Sequence, residues 1–375
     1  MNPKKRLILS IYQQHKAVQM KQHKLSCLFW ECTLRCDSNC VYSDDSTKEA
    51  VSPDMPKEDF LKILADIRPH INPNKTMIVL TGGEPLMRED LEECGKAIYE
   101  MGYPWGLVTN GWDLEEKKLQ SLLEAGLRSI TVNLDGYTEE SHDWFRGKKG
   151  SWLHALNATS RVASTPDLAH DVATSVNKVN INELTKLHEL LISLDVTHWR
   201  LFTVFPKGGA NNNPLLQLSP EEFREMMNFI RDTRRQGRIK VSYGCEGYLG
   251  DYEMEVRDNP FFCQAGINIA SILANGDISA CSGLSGNYVQ GNIYQDDFWT
   301  TWNTRFQIMR DRSWTKTGKC ASCKSYKYCQ GNGLHFRDEK TGKLLQCHLE
   351  MLGINPCTQK RLVNNKNLIN KTAIL

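Results

Sequence analysis

From about residue 25 to residue 245, short apolar stretches alternate with amphipathic ones. The apolar stretches of strand length are Leu25–Trp30, Met77–Leu80, Trp105–Thr109, Ser129–Leu134, Asp171–Ser175 and Trp199–Phe205. Helical periodicity lies near Lys57–Arg68, Arg88–Met101, Leu114–Ala125, Ser151–Ala163 and Ile181–Leu194. Six βα units in series predict an α/β fold with a parallel sheet covered by helices, either an open sheet or a partial barrel. In such folds ligands gather at the carboxyl ends of the strands.

A further helix is predicted to begin after Ser219. The serine suits the N-cap, Pro220 suits the first turn, and Glu222 can reach back to the cap. At the end of an earlier helix, Gly102 suits the left-handed position after the last turn.

The pattern changes after about residue 245, where glycine, aromatic residues and cysteine increase and helical periodicity fades. Short strands over Ile267–Leu273 and Asp277–Ala280 predict a hairpin that turns at Asn275-Gly276. We therefore predict an N-terminal extension (1–24), an α/β domain (25–244), a small cysteine-rich domain (245–357) and a tail (358–375).

Charge and hydropathy narrow the class of protein. The formal net charge is +2, with basic residues scattered along the chain, so nothing favours a nucleic-acid or membrane-surface partner. The apolar run Leu7–Tyr12 is too short for a signal peptide, and no span approaches the roughly 20 residues of a membrane helix. We expect a cytoplasmic protein, in which the 13 cysteines serve metal sites rather than disulfides, apart from Cys27 and Cys94, which we interpret as small buried hydrophobic residues.

The cysteines fall into groups. Cys320-x2-Cys323-x5-Cys329, followed by Cys347, supplies four soft thiolates that suit an iron–sulfur cluster or a tetrahedral zinc ion. A second group contains Cys263, Gly276 and Cys281, with Cys245 upstream as a possible extra ligand. A third group lies near the start of the chain, at Cys32, Cys36 and Cys40.

Polar residues follow three successive predicted strands. Thr81-Gly82-Gly83-Glu84-Pro85 ends one of them, and two glycines let a ligand approach the backbone closely. Thr109-Asn110-Gly111 and Asn133-Leu134-Asp135-Gly136 end the next two, and Arg146 follows shortly after. These positions predict one shared ligand pocket.

Together these segments resemble the radical S-adenosylmethionine enzymes, and the C-terminal cysteines resemble their SPASM extension, a branch known for modifying peptides and proteins. The similarity includes Phe29-Trp30-Glu31-Cys32-Thr33-Leu34-Arg35-Cys36 and spans Leu25 to Cys347. It implies a partial (β/α)6 TIM-like barrel with a SPASM domain, [4Fe–4S] clusters (one to three) and S-adenosyl-L-methionine. It also implies a peptide or small protein substrate and an electron donor such as a flavodoxin or ferredoxin.

The resemblance also implies roles for particular residues. Cys36 and Cys40 would hold the radical cluster, and Cys320, Cys323, Cys329 and Cys347 a complete auxiliary cluster. The cofactor-binding residues would be Gly82, Gly83, Glu84, Asn110, Asn133 and Arg146. Glu84 would meet the methionine amine of the cofactor and Arg146 its carboxylate, while Asn133 stands where such enzymes often have serine. No catalytic residue is assigned.

Two positions depart from the family pattern. Ser43 stands where the C-x3-C-x2-C motif has its third cysteine, so either Ser43 or Cys32 would have to complete the radical cluster, or the cluster is lost. Gly333 replaces a cysteine of the other auxiliary set, which leaves Cys263 and Cys281, with Cys245 as the extra ligand upstream. The sequence thus predicts a radical enzyme acting on a peptide. The alternatives are a non-catalytic relative that binds a peptide and a zinc-binding C-terminal domain.

Overall fold

A ten-stranded sheet forms the centre of the molecule in a computed structural model that describes residues 3–43, 53–244 and 246–358. The strands are β1 Cys27–Thr33, β2 Met77–Gly82, β3 Trp105–Thr109, β4 Leu127–Asn133, β5 Ala169–Val176, β6 His198–Thr203, β7 Lys240–Tyr243, β8 Ile269–Ile272, β9 Asp277–Ser279 and β10 Gly291–Asn292. Strands β1 to β7 pair in chain order, all parallel. The predicted α/β class with a parallel sheet is confirmed.

Helices connect the parallel strands and cover the sheet. They are α1 Pro3–Gln22, α2 Lys57–Ile67, α3 Leu91–Glu100, α4 Glu116–Glu124, α5 Glu139–Arg146, α6 Ser151–Ser164, α7 Leu184–Ser193 and α8 Pro220–Gln236, followed by the short α9 Phe298–Thr304, α10 Gln307–Arg310, α11 Tyr326–Cys329 and α12 His348–Met351. The predicted start of α8 is confirmed, because Ser219 and Glu222 form a reciprocal capping box. Gly102 has the predicted left-handed conformation, with φ of 88°.

All six predicted strands form, but several elements were not predicted, among them strand β7 and helix α1. Strand β7 has only four residues and starts at a lysine, so its apolar signal is weak. Helix α1 is largely polar and buries only Leu9 and Lys16, so it lacks the apolar stripe by which a helix is recognised in sequence. No helix in the described part of the chain has the length and apolar character needed to cross a membrane.

The predicted hairpin of β8 and β9 extends the barrel sheet. Strand β8 pairs in parallel with β1, with Cys27 opposite Ile269, and antiparallel with β9. The largest hydrophobic core therefore contains residues from both halves of the chain, such as Trp30 and Phe60 from the first and Trp302 and Phe306 from the second. The rings of Trp30 and Phe60 stack with centroids 4.2 Å apart. The C-terminal region is thus fixed to the barrel edge through backbone pairing and shared burial.

Candidate functional site

The loop that follows β1 carries Cys36 and Cys40 across the carboxyl end of the sheet. It is held by the end of β2, where the Gly83 amide donates to the Thr33 carbonyl (2.9 Å) and the Glu84 amide to that of Arg35 (2.8 Å). A Cβ atom on Gly82 would lie 2.0 Å from the Thr33 carbonyl oxygen, and one on Gly83 would lie 2.2 Å from that of Arg35. The two glycines therefore accommodate the cysteine loop itself.

The thiol of Cys36 is within the electrostatic influence of Cys40 and Glu84. Burial raises the pKa of Cys36, and the charges of Cys40, Asp37 and Glu84 raise it further, against a backbone hydrogen bond from Ser38. Asp37 between them accepts a hydrogen bond from Asn110 Nδ2 (2.7 Å) and forms an ion pair with Lys148. Lys148, which the sequence did not single out, thus helps to fix the loop.

Ser43 uses its hydroxyl within its own turn. The Oγ donates to the Cys40 carbonyl at 2.7 Å, and the Ser43 amide reaches the same oxygen at 3.1 Å. A serine hydroxyl resists deprotonation and is harder than the thiolates that iron–sulfur clusters prefer. The family motif has three thiolate ligands. The described residues of this loop supply two of them, Cys36 and Cys40, and Ser43 does not fit as the third.

Cys32 does not join Cys36 and Cys40. Its side chain is fully buried in the hydrophobic core below the loop. Burial raises the pKa of its thiol, and the charges that act on it include those of Arg88, Cys94 and Glu84. Arg88 also donates to the Cys32 carbonyl at 2.7 Å, which ties the end of β1 in place. The structure gives Cys32 a packing role.

Glu84 lies buried where β2 and β3 end. Its carboxylate accepts hydrogen bonds from the amides of Leu86 (3.1 Å) and Asn110 (2.7 Å) and from Thr109 Oγ1 (2.7 Å). Burial raises the pKa of Glu84 to about 7, although these three hydrogen bonds lower it. A carboxylate has roughly four acceptor positions, so one remains for an ammonium group. Asn133 lies beside the hydrogen bonds of Glu84, and its Nδ2 donates to the Thr109 carbonyl at 3.1 Å.

Arg146 is buried against Asp135, which is itself fully buried. Arg146 Nε and Nη2 both donate to Asp135 Oδ2, at 2.8 and 2.5 Å, and the Ser175 amide donates to Oδ1 at 2.7 Å. Burial alone would lower the pKa of Arg146, but the charge of Asp135 raises it well above the usual value. Cys40 and Tyr42 also act on this pKa, so Arg146 faces the cysteine loop. Its remaining N–H groups suit a carboxylate.

His142 is buried next to the Asp135–Arg146 pair. It is 1% exposed, and its Nδ1 accepts a hydrogen bond from the Asp135 amide at 3.0 Å. Burial lowers the pKa of His142 from 6.5 to about 4, and Arg146 lowers it further, against the charges of Asp135 and Asp143. The imidazole is therefore neutral in the folded protein at neutral pH.

We expect His142 to make the folded state sensitive to mild acid. Between pH 6.5 and pH 4 the unfolded chain binds a proton at this histidine that the folded chain does not, so stability that is complete above pH 6.5 is lost as the pH falls. The loss amounts to about 3 kcal/mol. The free energy of unfolding of the His142→Asn variant is measured with urea at several pH values. Between pH 6.5 and pH 4 it should fall by about 3 kcal/mol less than that of the parent protein. The same exchange at exposed His198 is the control, and parallel curves for parent and His142→Asn would contradict the assignment.

The four cysteines of the predicted auxiliary set surround one small cavity. Cys320, Cys323, Cys329 and Cys347 all line it. Burial raises the pKa of Cys329 to about 12, and the charges of Cys347, Cys320 and Cys323 add to this effect, which places the four thiols near one another. Coordination to iron would displace their protons.

The surroundings of these thiols suit a cluster. The Asn332 amide donates to Cys329 Sγ (3.2 Å) and Arg337 Nη2 to Cys320 Sγ (3.7 Å), contacts of the kind that stabilise cluster thiolates. Within the described ranges, no three cysteine, histidine or carboxylate side chains converge closely enough to hold a single metal ion. Four thiols around one cavity supply a ligand set that suits an iron–sulfur cluster or a tetrahedral zinc ion.

Two cysteines of the second auxiliary set lie in the described part of the chain. Cys263 lines a separate small cavity together with Cys329, and both Cys263 and Cys281 pack against the main hydrophobic core. The Gly333 amide donates to the Glu246 carbonyl at 3.0 Å. A Cβ atom on Gly333 would lie 2.4 Å from that oxygen. Cys245, the possible extra ligand, lies outside the described residues.

A large cleft, which we call the interdomain cleft, opens between the barrel mouth and the C-terminal region. It is lined by Tyr42, Val204, Phe205, Pro206, Lys207, Gly208, Ala210, Asn211, Gly283, Ser285, His335, Asp338, Glu339, Lys340 and Leu345. Phe205 stacks on His335 with ring centroids 4.6 Å apart, and Lys207 pairs with Glu339 at 2.8 Å. Burial and the charge of Lys207 lower the pKa of His335 to about 3. Sequence reasoning did not find this cleft, because its walls are far apart in the chain.

Comparison with known proteins agrees with this geometry. The family model of the Radical SAM superfamily matches residues 30–191, and that of the SPASM iron–sulfur cluster-binding domain matches residues 263–324. The chain is 27% identical over 319 residues to the AdoMet-dependent heme synthase of Methanosarcina barkeri, covering 80% of this chain and 89% of that protein.

Solved structures share the fold. Streptococcus suis SuiB bound to its precursor peptide SuiA superimposes with a TM-score of 0.66 at 16% identity, covering 89% of this chain and 78% of that one. The structure of native anSMEcpe, bound to AdoMet and the Cp18Cys peptide, also gives a TM-score of 0.66 at 17% identity, covering 88% of this chain and 94% of that one.

The chain thus contains a Radical SAM domain over residues 30–191 and a SPASM domain over residues 263–324. The cofactors of this class are [4Fe–4S] clusters and S-adenosyl-L-methionine. In this chain the SPASM cavity and the polar strand ends fit them, while the radical cluster site has two thiols and Ser43.

Proposed function

We propose that this protein is a radical SAM–SPASM enzyme that modifies a peptide or protein segment bound in the interdomain cleft. The observation that carries the proposal is the position of this cleft. Tyr42 of the cysteine loop forms part of its wall, and Lys207, Asp338, Glu339 and other residues of the barrel and C-terminal region form the rest. A segment bound there would run past the cofactor end of the barrel.

The chain's own residues position and enclose the cofactor. Glu84 would accept hydrogen bonds from the amine of S-adenosylmethionine, and Arg146, oriented by Asp135, would bind its carboxylate. A reduced [4Fe–4S] cluster held at Cys36 and Cys40, together with S-adenosylmethionine, would supply radical chemistry, the abstraction of a hydrogen atom from the substrate. Cys320, Cys323, Cys329 and Cys347 would hold the auxiliary cluster, and an electron donor such as a flavodoxin or ferredoxin would supply reducing equivalents.

Peptide is favoured over porphyrin by the charges of the cleft. The heme synthase relative of Methanosarcina barkeri points to porphyrins, which carry several carboxylates. In the interdomain cleft, however, Lys207 is neutralised by Glu339, and Lys340 lies beside Asp338. Gly208 and Gly283 leave room for a backbone, and Val204, Phe205 and Leu345 offer apolar contacts. SuiB and anSMEcpe, which share the fold, were solved with peptides.

A matched pair of variants tests where a peptide binds. Random peptides displayed on phage are selected on the cluster-loaded protein, and the selected peptides are then titrated against Leu345→Asp and Leu153→Asp. Leu345 is 39% exposed in the cleft, and Leu153 is 53% exposed on α6. We expect Leu345→Asp to weaken binding by about 10-fold or more, because it places a charge in an apolar contact, and Leu153→Asp to have no effect.

Two outcomes would contradict the proposal. Equal binding to both variants would place the peptide elsewhere, and tight binding of iron coproporphyrin III that competes with the selected peptides would favour a porphyrin substrate. A selected peptide that changes mass only with S-adenosylmethionine and reductant would support modification.

A second candidate function is favoured by the hydrogen bond from Ser43 to the Cys40 carbonyl. Because this hydroxyl serves the backbone, the chain would bind a peptide in the same cleft and keep the auxiliary cluster, without radical chemistry. Absence of 5′-deoxyadenosine formation by cluster-loaded, reduced protein in the presence of its peptide would favour this candidate. Any turnover above that of protein lacking Cys36 and Cys40 would exclude it.

A further inference from the structure

The segment that carries three of the auxiliary cysteines is strongly basic. Between Asp311 and Asp338 the sequence has four lysines, two arginines and no aspartate or glutamate, although acidic and basic residues are nearly balanced in the whole chain, 44 against 46. The four lysines are all exposed, and we call them the lysine patch: Lys316, Lys319, Lys324 and Lys327. Such a local concentration of one charge attracts a partner of opposite charge.

Two members of the lysine patch lie directly at the cavity of the auxiliary cysteines. Lys319 lines that cavity. The ammonium of Lys316 lies 5.7 Å from the ring centroid of Tyr326, which lines the same cavity. The charge of the patch is therefore next to the four thiols and not on a distant surface.

The other two members extend the patch across the same region. Lys324 follows Cys323 in the chain, and its amide donates to the carbonyl of Pro356, another residue that lines the cavity, at 3.2 Å. The ammonium of Lys327 lies 4.8 Å from the ring centroid of Tyr328. Tyr328 packs in one hydrophobic cluster with two of the auxiliary cysteines.

The fold leaves most of this charge unneutralised. Lys319 forms an ion pair with Glu350 at 2.6 Å, but its side chain is still 58% exposed. Within residues 3–43, 53–244 and 246–358, no ion pair joins Lys316, Lys324 or Lys327 to a carboxylate side chain. Residues 351–375 contain no aspartate or glutamate, so the rest of the chain adds no acidic side chain after Glu350.

The cysteine loop beneath the patch reaches the protein surface. Ala321 and Ser322 are exposed, and Cys323 is partly exposed. A cluster held by these cysteines would lie close to solvent under the lysines. Because electron transfer slows steeply with distance, a redox partner must dock where a cluster lies near the surface.

Nucleic acid is a less suitable partner for the lysine patch. Proteins that bind single-stranded nucleic acid combine basic residues with exposed aromatic rings on which bases stack. No aromatic side chain between residues 312 and 337 is exposed, since Tyr326 is half-buried and Tyr328 is buried. The charge is present without a stacking surface.

We propose that the lysine patch is the docking surface for an acidic flavodoxin, which delivers electrons one at a time to the auxiliary cluster. In each transfer the anionic flavin hydroquinone becomes the neutral semiquinone and the cluster gains the electron, so no proton moves. Electron-transfer complexes have small interfaces, below about 1,200 Å², and use complementary charge to accelerate the encounter. The proposal rests on the proposed function for the cluster and the class of electron donor, but not for peptide modification.

Two double variants of equal charge change test the docking. Both are made in the Cys36→Ala/Cys40→Ala background, reconstituted without oxygen, so that the signal comes from clusters outside the radical site. Lys324→Glu/Lys327→Glu alters the patch, and Lys117→Glu/Lys186→Glu, at exposed positions of α4 and α7, is the control. We expect the patch variant to bind oxidised flavodoxin about 10-fold or more weakly at low ionic strength, and the control to bind like the parent.

The same proteins are then mixed with flavodoxin hydroquinone, and reduction of the cluster is followed by its absorbance. The second-order rate constant should fall by about 10-fold or more in the patch variant alone, with iron content equal to that of the parent. Equal losses in both double variants, or a loss in neither, would overturn the proposal.

Two further arms of the experiment identify a different partner. An acidic [2Fe–2S] ferredoxin that binds more tightly than flavodoxin and depends on the same lysines would overturn the assignment to flavodoxin. A single-stranded DNA oligonucleotide whose binding is lost in the patch variant, while flavodoxin binding is retained, would assign the patch to nucleic acid. None of these readouts uses a peptide, so a failure of docking is distinguishable from a failure of peptide modification.

Discussion

Replacing Ser43 by cysteine should raise the rate of 5′-deoxyadenosine formation by about 100-fold or more, because a thiolate completes the three-ligand set with Cys36 and Cys40. Changes in the outer shell of a metal site commonly alter affinity or activity by about 10–100-fold, and a ligand itself should matter at least as much. The iron and sulfide content should rise by up to one cluster per chain. The rate is measured on reconstituted, dithionite-reduced protein with S-adenosylmethionine.

Ser38→Cys is the matched control for this gain. Ser38 lies in the same loop, and its hydroxyl accepts a weak hydrogen bond from Asn110 Nδ2 at 3.3 Å, so the variant adds a thiol at a position that the motif does not use. It should not increase the rate. A parent protein as fast as Ser43→Cys would show that the existing loop, with Ser43 or a ligand beyond the described residues, already forms a working cluster.

Replacing Asp135 by alanine should destabilise the folded protein by about 3–5 kcal/mol, because it leaves the buried Arg146 cation without its partner. Asp135 is fully buried and accepts three hydrogen bonds, two of them from Arg146. The midpoint of urea unfolding, measured anaerobically on cluster-loaded protein, reports the loss. Adding Arg146→Met should restore part of the stability, since the unpaired charge is then gone.

The Asp171–Arg200 pair supplies the control for Asp135. It joins neighbouring strands in the same sheet, but the Arg200 side chain is 42% exposed. Ion pairs of this kind contribute about 1 kcal/mol or less, so Asp171→Ala should have a small effect. If Asp135→Ala lowered the free energy of unfolding no more than Asp171→Ala does, the prediction would be wrong. The Asp135–Arg146 pair would then not stabilise the cofactor end of the barrel.

Much of the fold and of the site follows from local sequence. Six strands, the capping box at Ser219 and Glu222, and the hairpin at Asn275-Gly276 form where the pattern predicts them, because period, cap and turn signals act over a few residues. The four auxiliary cysteines and Glu84 could be singled out because their chemistry is unusual at those spacings. The departures at Ser43 and Gly333 were also visible in the sequence alone.

Only the tertiary structure decided which distant groups meet. It paired β8 with β1, placed Cys32 in the core, joined Arg146 to Asp135, and brought Lys16 beside Cys329 across more than 300 residues. Such contacts are not fixed by local propensity, since each depends on sheet register, loop closure and the burial available elsewhere. The glycine pair illustrates the difference. Its sequence indicates close approach, but the packing of the cysteine loop determines what approaches it.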